Sequence, residues 1–156
     1  MSARPVTLDR VTTPDRLDQL FQHCADLGID VEWRDLGEWR RGEFRRDDRL
    51  IVLNPRLTGH QAVACLAHEL GHARFGHGCS SPANERRAWE YAAALVLSPA
   101  EYAAAEARVG PDPAGLALEL AVTPQLIWSW RRWWRRCGGQ DRVSSATVAW
   151  AAAVPP

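Results

Sequence analysis

His68, Glu69 and His72 belong to a single pentad, His68-Glu69-Leu70-Gly71-His72, an HExxH pattern in a stretch that reads as helix. Residues four apart on a helix lie one turn apart on one face, so the two imidazoles can reach a single metal ion. The glutamate beside the first histidine can then act as general base on a water held by that ion. Such chemistry points to Zn2+, which takes three protein ligands at a catalytic site and keeps its fourth position for water. His77, Glu85 and Glu90 are the downstream candidates for the third ligand.

Spacing removes His77. The pattern HExxHxxGxxH finds Gly76 one place late and His77 one place early. The methionine turn that goes with it also has no source, because the only methionine is Met1. Helical periodicity separates the two glutamates. Glu85 shares a stripe with Ala88, Trp89, Ala92, Leu95 and Val96, the face expected to meet the motif helix. A carboxylate on a buried stripe is costly unless something positive compensates it, and zinc would. Glu90 stands one turn from Arg86 and next to Arg87, which predicts an exposed ion pair. The expected zinc ligands are therefore His68, His72 and Glu85, a gluzincin-like set, with Glu69 as the catalytic base. His77, Tyr91 and Tyr102 are open candidates for an extra transition-state donor, and none is assigned.

The elements that must position these groups follow from caps and periodicity. A loose arm is expected over residues 1–12, then a helix capped by Thr13 that runs through Leu17, Leu20, Phe21 and Cys24 to Gly28. Ile29, Val31 and Trp33 alternate with polar residues as in a half-buried strand. A second strand is expected over Trp39–Arg45, and Leu50–Leu53 forms a short, fully apolar third. The expectation is a three-stranded antiparallel meander. Thr58 and Gln61 make a capping box that starts the motif helix near Gly59. Ser81-Pro82, Ser98-Pro99, Asp112-Pro113 and Thr123-Pro124 each mark a further helix start, and Gly138-Gly139 ends the last. The predicted class is α+β, mainly helical, with a small antiparallel sheet packed on the HExxH helix in a zincin-like arrangement. No repeat or low-complexity linker divides the chain, so residues 1–156 are expected to form one metallopeptidase domain. The segment 140–156 is apolar near Trp150 but unperiodic, and no element is assigned to it.

With these motifs in place the chain resembles the ImmA/IrrE family of zinc metallopeptidases over about residues 13–130. The resemblance is carried by the HELGH helix and by the run Glu85-Arg-Arg-Ala88-Trp-Glu-Tyr-Ala92-Ala-Ala-Leu95, which closes on Pro99. It implies Glu85 as the glutamate ligand, in agreement with the stripe. Trp89 stands where the family carries Asn or Asp, a position that implies a partner for a ligand histidine. The resemblance also implies cleavage of a transcriptional repressor or regulator of a phage or mobile element, with a helix-turn-helix repressor as protein substrate.

Residues 112–137 have the outline of a helix-turn-helix. Ile127, Trp130 and Trp134 form an apolar stripe on its second helix, predicting that these tryptophans are core. Arg131, Arg132, Arg135 and Arg136 lie opposite with Trp128, a basic face suited to phosphates or an acidic partner. The rival function is thus a DNA-binding or repressor-binding regulator whose zinc site is structural or inactive. Bulk composition favours neither. Formal net charge is zero and every basic residue is arginine, so no global field draws the chain to nucleic acid or membrane. The start, MSARPVTLDRV, lacks the apolar run of a signal peptide, and no stretch approaches a membrane span, so a cytoplasmic protein is expected. Cys24, Cys65, Cys79 and Cys137 are scattered and read as free thiols.

Overall fold

The computed structural model describes residues 12–137. The N-terminal arm apart from Thr12, the Gly138-Gly139 stop and the segment at 140–156 lie outside them. Helix α1 (Thr13–Asp26) starts one residue earlier than the sequence suggests. Thr12 is its cap, accepting the Asp15 amide while the Asp15 carboxylate takes the Thr12 N–H at 2.9 Å. Its inner face buries Leu20 and Cys24 as expected, but also Arg16. That guanidinium donates to the carbonyls of Val96 and Leu120 and to Glu101, tying α1 to three later segments. A charged side chain inside is tolerable here because each of these acceptors faces it.

Strands β1 (Asp30–Trp33), β2 (Gly42–Arg45) and β3 (Leu50–Leu53) form one sheet, but it is mixed rather than an antiparallel meander. The order is β1-β3-β2, with β1 parallel to β3 and β2 antiparallel to it. The physical reason is in the side chains. Leu-Ile-Val-Leu of β3 is buried at every position and takes the centre, whereas the half-polar strands take the edges. The expected second strand is shorter too, because Trp39–Arg41 belong to the connection from β1. Asn54 holds that connection, its Nδ2 donating to Gly37 O at 2.8 Å and Arg40 O at 2.9 Å.

Helix α2 (Gly59–Phe75) carries the pentad and begins where expected, with the Thr58–Gln61 capping box formed. It is buried from Ala62 through Gly71, so it is the central helix rather than an amphipathic surface one. Helices α3 (Pro82–Val96), α4 (Pro99–Val109), α5 (Pro113–Glu119) and α6 (Pro124–Cys137) follow. Ser81, Ser98 and Asp112 cap the first three through their side chains. α2 packs on α3 at very short range. A Cβ at Gly71 would lie 2.7 Å from the carbonyl oxygen of Ala88 and 2.8 Å from its Cα. α6 also packs on α3, and it buries Leu126, Ile127 and Trp130. Trp134 departs from expectation: it is 43% exposed and stacks on Trp130 from the rim of the core. No helix among the described residues is long and apolar enough to cross a membrane.

Candidate metal centre

The close α2–α3 packing sets Glu85, on the first turn of α3, over the face of α2 that carries the two histidines. His68 Nε2 lies 3.1 Å from His72 Nε2 and 3.1 Å from Glu85 Oε2, and His72 Nε2 lies 3.2 Å from Glu85 Oε1. The three side chains form the group of donors, all within 4.8 Å of one another, that could hold a metal ion. The spacing fits. Zinc–ligand distances of about 2.0–2.1 Å at near-tetrahedral angles put donor atoms roughly 3.3 Å apart. Glu85 sits on the cleft rim with its side chain 36% exposed, not on a fully buried stripe as the periodicity suggested. The apolar stripe of α3 begins one turn later, at Ala88.

Each donor is held from behind. Ser80 Oγ donates to Glu85 Oε1 at 2.7 Å. His77 Nδ1 lies 3.1 Å from His72 Nδ1, an approach made possible by Gly76, which closes α2 in the left-handed conformation (φ 63°) and turns the chain back. His68 is different. Its Nδ1 is buried without a hydrogen-bond partner among the described residues, and the Trp89 ring packs on the imidazole, centroids 4.2 Å apart. Where the resemblance implies a polar partner for a ligand histidine, this chain holds His68 by the face of an indole.

Electrostatics prepare the donors for a cation. Burial, reinforced by His72 nearby, drives the His68 imidazole down to about 4, so its lone pair is free at neutral pH. Burial works to raise Glu85, but the Ser80 hydrogen bond and the two histidines outweigh it and keep the carboxylate low and ionised. His77 is lowered by desolvation, then by His72 and Arg87, with Glu85 opposing. Glu69 moves the other way. Burial and then Glu85 push its carboxyl up to about 7, opposed by the Phe44 backbone amide. Glu69 lines one cleft with His68, His72, His77 and Glu85, and strand β2 forms the facing wall.

Of the open donor candidates only His77 reaches the cleft. The Tyr91 hydroxyl pairs with His23 Nε2 at 3.2 Å, and the Tyr102 hydroxyl accepts from Arg131 Nε at 2.7 Å. Glu90 overturns its reading as an exposed ion pair. It is 5% exposed and holds two cations of α6, Arg132 Nε at 3.1 Å and the Arg136 guanidinium. The wheel of α3 alone cannot reveal this, because the enclosing side chains come from another helix. Of the α6 arginines, Arg131, Arg132 and Arg136 are thus engaged within the chain, while Arg135 has no acidic partner among the described residues.

Ser80 and the role of His77 escaped the sequence reading, since both depend on the loop 76–81 folding back on the helix it follows. A helix stop glycine directly before a histidine was the available signal.

A helix-borne histidine pair, a carboxylate from the next helix and a buried glutamate beside them, on an α+β frame with a small sheet, define a zincin-like protein. The particular family follows from comparison. The model of the IrrE N-terminal-like domain family, Peptidase_M78, matches residues 24–126, well over half of the chain. The chain belongs to this ImmA/IrrE family, which carries a metallopeptidase-type function. Among curated proteins none matches it.

Proposed function

We infer that the protein is a zinc-dependent endopeptidase of the cytoplasm that cleaves a transcriptional repressor or regulator, of the kind carried by phages and mobile elements. The observation that carries the reading is the convergence of His68, His72 and Glu85 at donor spacing beside the buried Glu69. Zinc held by these three side chains would supply the Lewis acidity that activates a water and polarises a scissile carbonyl. Glu69 accepts the proton of the attacking water on its carboxylate and returns it to the leaving amine. Its pKa, raised by burial toward neutrality, suits both halves of that transfer. Ser80 and His77 keep Glu85 and His72 turned into the cleft, and Trp89 fixes the ring of His68. β2 is an edge strand along that cleft, so an extended substrate segment can pair with its free side.

The deciding experiment incubates the zinc-loaded protein with candidate helix-turn-helix repressors, taken first from any encoded near its gene. The native protein should cleave one of them, and Glu69→Gln should cut at least about 100-fold more slowly while retaining stoichiometric zinc. A native protein that binds no zinc, or equal cleavage by both proteins, sinks the reading.

A further inference from the structure

On the far side of α3 from His68, five arginines gather around one carboxylate. Arg86 and Arg87 come from the first turns of α3, Arg132, Arg135 and Arg136 from the last turns of α6, and together they line an open basin with Glu90 at its floor. Among the described residues Glu90 is the only acidic one lining it. The chain as a whole is formally neutral, so this local excess is a segregation of charge and not an overall bias. The α6 arginines also lie beyond residue 126, where the family match ends.

The basin is organised as well as charged. Glu90 spends one oxygen on Arg132 and the other on Arg136, which pins both guanidiniums on the α3–α6 seam. Each guanidinium has five N–H donors in a planar fork, so most of them stay available to an anion arriving from solvent. Arg87 is steadied over the Phe75 ring, 4.3 Å from its centroid. Arg86 and Arg135 have no acidic partner among the described residues. Trp128 stands on the same face of α6, one turn before Arg131 and Arg132 and two before Arg135, and is 55% exposed. The Arg131 guanidinium lies 5.7 Å from its ring centroid, and neither core packing nor the metal centre accounts for the rest of the ring staying in solvent.

We propose that the arginine basin and Trp128 form a binding surface for single-stranded nucleic acid. The guanidiniums take successive phosphates, and an unpaired base stacks on the Trp128 indole. The same arginines would attract an acidic peptide, but a peptide carboxylate has no ring to place on Trp128, and that residue decides between them. This surface is independent of the peptidase reading, because none of its residues lines the metal cleft.

The test measures fluorescence anisotropy of a labelled oligo(dT) strand with the full chain across a salt series. Arg86→Glu with Arg135→Glu should weaken binding at least tenfold and lower the salt slope by about 1.4, or about 0.7 for each lost phosphate contact on a single strand. Trp128→Ala should weaken the strand about tenfold and a duplex of equal length much less. Arg34→Glu with Arg56→Glu makes the same change in net charge outside the basin and should leave binding close to native. Three results would each overturn the proposal. One is no binding by the native chain at low salt, and another is equal loss in the Arg34/Arg56 variant. The third is displacement of the strand by a poly-glutamate peptide at equal charge concentration. Circular dichroism of every variant establishes that it is folded.

Discussion

Single side chains in this molecule are set by what lies behind them as much as by what they face. His68 and His72 occupy equivalent places one turn apart, yet His72 leans on a second imidazole and His68 on an indole. The pentad's spacing was legible because it depends on one turn of helix, whereas these supports come from the loop 76–81 and from α3. His23 gives a test at this scale. Desolvation lowers its pKa, with Asp26 only partly opposing, and its Nε2 meets the Tyr91 hydroxyl. The folded state therefore favours neutral His23, while the unfolded chain titrates near 6.5. Its contribution to stability is complete above that value and is lost as the pH falls through it toward the lower folded pKa. His23→Gln should flatten the fall in denaturant midpoint below pH 6.5, and NMR should place the His23 titration below 6.5. A midpoint at or above 6.5 would refute this.

At the level of elements, the α2–α3 seam decides the site. Gly71 lies inside the HExxH motif but touches no ligand, and its role is to let the backbone of Ala88 approach. Gly71→Ala forces the helices apart against backbone atoms that cannot yield, at a cost of about 1–3 kcal/mol. It should also weaken zinc binding by separating Glu85 from the histidines, measured by competition with a chromogenic chelator. Unchanged stability and affinity would show that the seam can relax. The α3–α6 seam behaves asymmetrically. Glu90 is buried while Arg132 and Arg136 are 39% and 58% exposed in their side chains. Glu90→Gln leaves two cations that water can solvate, an expected loss of about 1 kcal/mol. Arg132→Ala with Arg136→Ala leaves a buried carboxylate uncompensated, and should cost about 3 kcal/mol in urea unfolding. The reverse order would mean that Glu90 is better solvated than its burial indicates.

For the whole molecule, the three candidate ligand residues join two helices separated by the loop 76–81, so a metal bound there would act as a cross-link on the folded state alone. Zinc at about 100 times its dissociation constant would stabilise the fold by roughly 2.7 kcal/mol. At about 2–4 °C per kcal/mol for a chain of this size, the thermal midpoint should rise about 5–10 °C. His72→Ala should abolish the rise. A midpoint unmoved by zinc in the native protein would count against a metal centre on this seam.

The residues taken in order determined where most helices start, that His68 and His72 share a face, and that Leu50–Leu53 is buried throughout. Capping boxes, proline starts and helical spacing act within a turn or two of chain, so local sequence is sufficient for them. Only the tertiary structure decided that β3 lies between β1 and β2, that Glu90 is enclosed and Trp134 is not, and that His77 and Ser80 stand behind His72 and Glu85. Those outcomes depend on partners from other elements. Burial and strand order are properties of a pair of surfaces, and periodicity along one element describes only one of them.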